Sequence, residues 1–136
     1  NTMKVFTILK NGIPTDGINT VEEGSLLRIY FDYAVYDMAQ TDESGNEMKV
    51  ENSYSCENVD IDGNRDYSSI VAAIVSSKYS NDDVTAIIAN KALADDSTSD
   101  ITDAKRTEYQ TEYTNFQTWR SHAKEVADKV ISKLES

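Results

Sequence analysis

A chain of 136 residues has room for one modest hydrophobic core, so a single domain, or a small domain with an appended helical segment, is expected. Its formal charge of −11 and lack of any basic cluster argue against nucleic acid or an anionic membrane as partner, because phosphate affinity needs grouped Lys and Arg. The single cysteine, Cys56, cannot form an internal disulfide, and with no apolar run of membrane-spanning length and no charged, apolar, small-residue pattern at the start, neither a membrane span nor a signal leader is expected.

All five glycines and the single proline, Pro14, fall within the first 63 residues, and the remaining 73 contain neither. Turn formers punctuate strands and their absence permits unbroken helix. The expected class is therefore α+β: an antiparallel β-sheet within residues 1–65, then three helices within 66–136, the last one long. The acidity is uneven. Residues 1–66 carry −8, residues 67–103 carry −4, and residues 104–136 carry +1. With Met3 read as the natural start and Asn1-Thr2 as an addition ahead of it, a cytosolic location is expected.

In chain order, Lys4 to Lys10 reads as a short strand closed by the Asn11-Gly12 turn signal. A loop through Pro14 and Asp16-Gly17 comes next, and Val21 to Ser25 leads into Leu26 to Met38, the strongest strand by aromatic and branched content. Alternation along it assigns Leu27, Ile29, Phe31, Tyr33 and Val35 to one face and Arg28, Tyr30, Asp32, Ala34 and Tyr36 to the other. Thr41 to Glu47 is a polar hairpin loop, and Met48 to Ile61 returns as one or two strands, with Cys56 a half-buried strand residue.

Asp60 to Asp66 alternates acids as an EF-hand loop does, but the sixth and twelfth positions, which need Gly and Glu, hold Arg65 and Val71. The expectation is a strand end, a turn at Gly63 and an N-cap at Asp66, with no metal. Tyr67 to Tyr79 then has the spacing of a three-turn helix. Ser80 with Asp83 is a capping-box start for a second helix, whose apolar face is Val84, Ile87, Ile88 and Leu93. Ala94 to Asp103 is a solvated loop, and Thr102 or its acidic neighbours can cap the third helix.

That third helix, residues 103–135, carries a stripe of Tyr109, Tyr113, Phe116, Trp119, Ala123, Val126, Ala127, Val130 and Leu134. At 1.5 Å per residue it would be about 50 Å long. A globule of this chain is roughly 37 Å across. The helix is therefore expected to overhang, and its far end, Val126 to Leu134, to meet either the sheet or another chain. Tyr109, Tyr113, Phe116, Trp119, Val126, Val130 and Leu134 are the candidate interaction residues.

Catalytic candidates are weak. His122 is the only histidine and reads as a solvated surface residue beside the stripe, and no nucleophile elbow or phosphate-cradling glycine loop occurs. No catalytic residue, metal or cofactor is assigned. The adjacent acid pairs lie at caps or loops, where solvated carboxylates are ordinary.

Three stretches of the helical half, Asp66 to Val71, Lys78 to Asn90 and Glu112 to Glu125, are similar to small proteins of phages and prophages in gut Bacteroidales. The resemblance extends over about residues 66–133. It implies a tail- or tail-fibre-associated virion component or assembly helper, located in the host cytoplasm or incorporated in the virion. Its partners would be a second copy or another phage structural protein. The expected function is non-enzymatic and works through protein–protein contacts; a soluble binding module or minor enzyme is the alternative.

Overall fold

The computed structural model describes residues 3–36 and 38–135; Asn1-Thr2, read as an addition ahead of the start, lie outside them. Leu27, Ile29 and Phe31 alternate along β3 (Leu26–Val35) and are fully buried, which makes one face of this strand the floor of the core. It pairs antiparallel with β2 (Asn19–Glu23) on one side and β6 (Ser53–Asp62) on the other. β1 (Met3–Ile8) adds to the far side of β6, giving the order β1-β6-β3-β2. A separate hairpin, β4 (Ala39–Thr41) with β5 (Glu47–Lys49), turns on Asp42, whose Oδ1 accepts from the N–H of Ser44 and Asn46, both at 2.9 Å.

Two features of the sheet differ from expectation. β2 is a strand where the sequence suggests a lead-in segment: it is short and acidic, but Gly24 at φ 62° with Ser25 forms a two-residue hairpin that brings it back onto β3. The alternation along β3 also breaks. Asp32 stands at φ 55° and the register with β6 shifts between Phe31 and Ala34, a bulge that inserts extra chain and reverses facing. Tyr33 and Val35 therefore move to the outer face, opposite Cys56 and Tyr54, while Ala34 and Tyr36 join the face that carries the core. Cys56 is buried rather than half-buried. Burial, then the nearby Glu57 charge, pushes its thiol pKa up; burial also pushes the Tyr33 phenol to about 12.

Three helices complete the chain: α1 (Tyr67–Lys78), α2 (Asn81–Asp95) and α3 (Asp103–Glu135). The acids of the calcium-like stretch have local roles: Asp62 accepts from the Ser25 hydroxyl at 2.6 Å and Asp66 caps α1, accepting from the Ser69 N–H at 2.8 Å. Ser80 and Asp83 form the reciprocal capping box of α2. The Thr102 hydroxyl accepts from the Lys105 N–H at the start of α3.

The core joins the sheet to α1 and the second half of α3. Ile70 and Ile74 of α1 and Ala123, Val126, Ala127 and Val130 of α3 form one cluster with Ile18, Leu27, Ile29, Phe31, Val59 and Ile61. Leu134 packs on its margin, and Lys133 pairs with Asp16 at 2.9 Å. The C-terminal end of α3 is thus laid on the sheet, the first of the two alternatives for Val126 to Leu134. The end that outruns the core is the N-terminal one. Residues 103–118 run antiparallel to α2 as a two-helix arm, whose buried residues Ile87, Ala94 and Phe116 lie outside the sheet cluster. Its far end is tied by Arg106, which donates to the carbonyls of Ala94 at 2.5 Å and Asp96 at 3.1 Å.

Four carboxylates bias this fold against acid. Hydrogen bonds from the Ser69 backbone to Asp66, from the Ser80 backbone to Asp83 and from the Thr98 side chain to Asp96 hold these pKa values below the ordinary 3.8. At Asp16 burial acts upward, but the Lys133 ammonium and the Ile18 N–H outweigh it. A folded-state pKa below the unfolded value means stabilisation that is complete above that value and lost as pH falls through the lower one. Stability to denaturant, followed by helix circular dichroism, should therefore drop as pH falls below about 4. Asp66→Asn, which keeps a capping oxygen without a charge, should flatten part of that drop. A stability that rises on acidification contradicts this.

Candidate functional site

The helices cover β3 and β6 near Leu27 to Phe31, and beyond the bulge the same face of the sheet is bare among the described residues. There Phe6 and Ile8 of β1 stand beside Ser55 and Ser53 of β6, and Tyr36, whose N–H donates to the Ser53 carbonyl, stands on the other side. The two serines are small and buried, so the rings of Phe6 and Tyr36 meet across them, with centroids 4.4 Å apart. Phe6 is 47% exposed, Ile8 56% and Tyr36 41%. A contiguous apolar platform therefore faces water at this end of the sheet. Ser53 ties it to the crossover after β3: its hydroxyl reaches the carbonyls of Tyr36 and Val50 and accepts from the Met38 N–H.

The platform begins where α3 crosses the sheet. Here Asp32, in its left-handed conformation, reaches His122 Nε2 at 2.7 Å, and the imidazole packs near Trp119 and Phe31, with ring centroids 5.7 and 6.2 Å away. His122 is therefore a half-buried partner of the bulge and not the solvated surface residue expected. Trp119 is fixed on its other side, donating from Nε1 to the Ile74 carbonyl at 3.1 Å beneath the Lys78 ammonium. This cluster orients α3 on the sheet. Ser121, next to His122 in sequence, leaves the helix in another direction.

The candidate interaction residues divide. Phe116, Val126 and Val130 are buried within the chain, and Trp119 and Leu134 pack against its core, so their apolar surface is covered without a second copy. Tyr109 and Tyr113 are half-buried on the arm, beside the Lys105 and Lys91 ammonium groups, and the Tyr113 hydroxyl accepts from Gln117 at 2.7 Å. Ile88 and Leu93 of α2 remain exposed. Phe6, Ile8 and Tyr36 are not among those candidates. Phe6 and Ile8 alternate with Lys4 on one face of their strand, a signal present in the sequence, but Tyr36 reaches that face only through the bulge.

Among the described residues no group of three or more His, Cys, Asp and Glu is gathered as metal ligands are, and no helix is long and apolar enough to cross a membrane. The geometry at Asp32 is open to test. Asp32→Gly and Asp32→Ala both remove the His122 contact, but only Ala meets the steric penalty of positive φ. The Gly variant should be the more stable of the two by about 1 kcal/mol in denaturant unfolding. Equal stabilities contradict a strained bulge at this position.

Compared with protein-family models, with curated proteins and with solved structures, the chain matches none.

Proposed function

We propose that this chain is a non-enzymatic structural or assembly protein of a phage or prophage, acting through protein–protein contacts with a second copy or with another phage structural protein. The observation that carries the contact reading is the platform of Phe6, Ile8 and Tyr36, three large apolar side chains exposed together on a chain whose long helical stripe is already covered. Leaving such a surface in water is unfavourable by about 25 cal/mol per Å², and contiguous exposed patches of this kind mark interaction sites. Aromatic anchors are also the side chains that most often dominate binding energy. The phage setting is what the resemblance of residues 66–133 to phage and prophage proteins implies, and the tail-associated role in the virion or its assembly is proposed with it.

The surface suits this role in its rigidity. The platform is built on three paired strands and braced by Ser53, so it is held in place before a partner arrives. Phe6→Ser with Tyr36→Ser should leave the fold intact, since both side chains are exposed. It should weaken, by at least about tenfold, either self-association or binding to purified products of the flanking genes, measured by light scattering and titration. Unchanged association in the double variant, or a wild-type chain that is monomeric and binds none of those products, sinks the proposal.

A further inference from the structure

We propose that β1 takes up an extended segment of another protein as a fifth strand, and that this segment has apolar residues alternating along its centre and carboxylates towards its ends. The inference rests on the platform being a contact surface and names what occupies it. Leu9, just past β1, donates to the Asn52 carbonyl at 2.9 Å, so in the antiparallel ladder the odd residues of β1 bond to β6. The N–H and C=O groups of Lys4, Phe6 and Ile8 consequently point to the open edge, and their side chains stand on the bare face. An added strand would pair with these same three residues. Its own side chains would lie directly beside Lys4, Phe6 and Ile8, at the Cα spacing of about 5.5 Å for a hydrogen-bonded pair. Backbone bonds and apolar contact thus converge on one row, as strand addition requires.

The two edges of the sheet are treated differently. The β2 edge carries Glu22 and Glu23, and Arg65 crosses to Glu22 at 3.2 Å and to the Gly24 carbonyl, the kind of charge that blunts an edge. β1 carries one charge, Lys4, and neither proline nor bulge, so its edge is guarded against cationic strands and open to acidic ones. Within a chain of charge −11, residues 1–15 hold Lys4 and Lys10 and no acid; Glu57 of β6 stands opposite Lys4 in the register, but neither lysine makes an ion pair among the described residues, so both ammonium groups can take a carboxylate at the edge. That local charge complements an acidic segment. A second copy fits less well: antiparallel pairing of two β1 strands with Phe6 against Phe6 brings each Lys4 diagonally beside the Lys10 of the other copy.

The test uses the full chain and three short peptides: alternating Val and Thr ended by Glu, the same ended by Lys, and the Glu-ended one with a central Pro. Amide exchange of Phe6 and Ile8 is read by NMR. The Glu-ended peptide should slow both amides by about tenfold and the other two should not. Lys4→Glu should reverse the preference for Glu over Lys ends. Ile8→Pro removes an outward N–H and leaves the bonds to β6, so it should abolish the effect, whereas Ile8→Thr keeps that N–H and should retain it. Thr7 and Leu9 protection reports whether each variant is folded. No slowing by the Glu-ended peptide, indifference to end charge, or a response that survives Ile8→Pro overturns the inference. So does a wild-type dimer that Ile8→Pro dissolves, because the occupant is then a second copy. If Phe6→Ser with Tyr36→Ser breaks a complex with a flanking gene product that Ile8→Pro leaves intact, strand addition fails while the contact reading stands.

Discussion

The structure depends on the contact between the second half of α3 and the buried row of β3. Ala123 and Ala127 are small enough to let the helix approach the sheet closely, and Val126 and Val130 fill the space beside Leu27, Ile29 and Phe31. α1 enters the same contact through Ile70 and Ile74. Isolated helices and isolated sheets of these lengths are marginal in water, so each layer is held by the surface it buries against the other. Polar ties at the two ends fix the helix lengthwise, Lys133 to Asp16 at one and His122 to Asp32 at the other.

This docking decides what is left over. A helix of 33 residues laid with its second half on the sheet must carry its first half past the core, where α2 accompanies it. The arm is correspondingly thin, with Ile87, Ala94 and Phe116 buried and Ile88 and Leu93 in water. The sheet is left over too: with α1 and α3 above Leu27 to Phe31, the ends of β1, β3 and β6 have no cover among the described residues. The bulge at Asp32 turns this bare area into an apolar platform, since it brings Tyr36 to the side of Phe6 and Ile8. One irregular residue therefore sets both the helix orientation, through His122, and the chemistry of the uncovered surface.

Much of the architecture is legible in the sequence because it is written in local patterns. The absence of Gly and Pro after residue 63, the Ser80–Asp83 box, Asp66 as a cap and the spacing of the long stripe all specify elements by short-range chemistry, and those elements form. Long-range choices are not legible. Nothing in the period of α3 says which half meets the sheet, and length alone says only that the helix outruns the core. The short acidic β2 lacks a strong strand signature and is defined by its hairpin. The bulge is hidden because Asp32 sits within a perfect alternation from Leu27 to Val35; only its positive φ, adopted more readily by Asp than by branched residues, breaks the pattern. The helical stripe, which the sequence marks as the candidate site, is covered by the fold, whereas Phe6, Ile8 and Tyr36 become one surface only through that bulge.

The account stands on α3 being core in its second half and only an arm in its first, and a matched pair of charge insertions tests it. Val130 is completely buried among sheet and helix side chains, while Ile88 is half in water on the arm. A carboxylate forced into the first site without a partner costs several kcal/mol, against a total stability of about 5–15 kcal/mol for a small domain. Val130→Asp should therefore lose sheet and helix together in a single step, read by circular dichroism and by the NMR shifts of Leu27, Ile29 and Phe31. Ile88→Asp should leave those shifts in place and change stability by no more than about 1 kcal/mol. A Val130→Asp chain that keeps its sheet and merely falls to a lower mass in solution would contradict the account, because the stripe would then be an interface between copies and not the chain's own core.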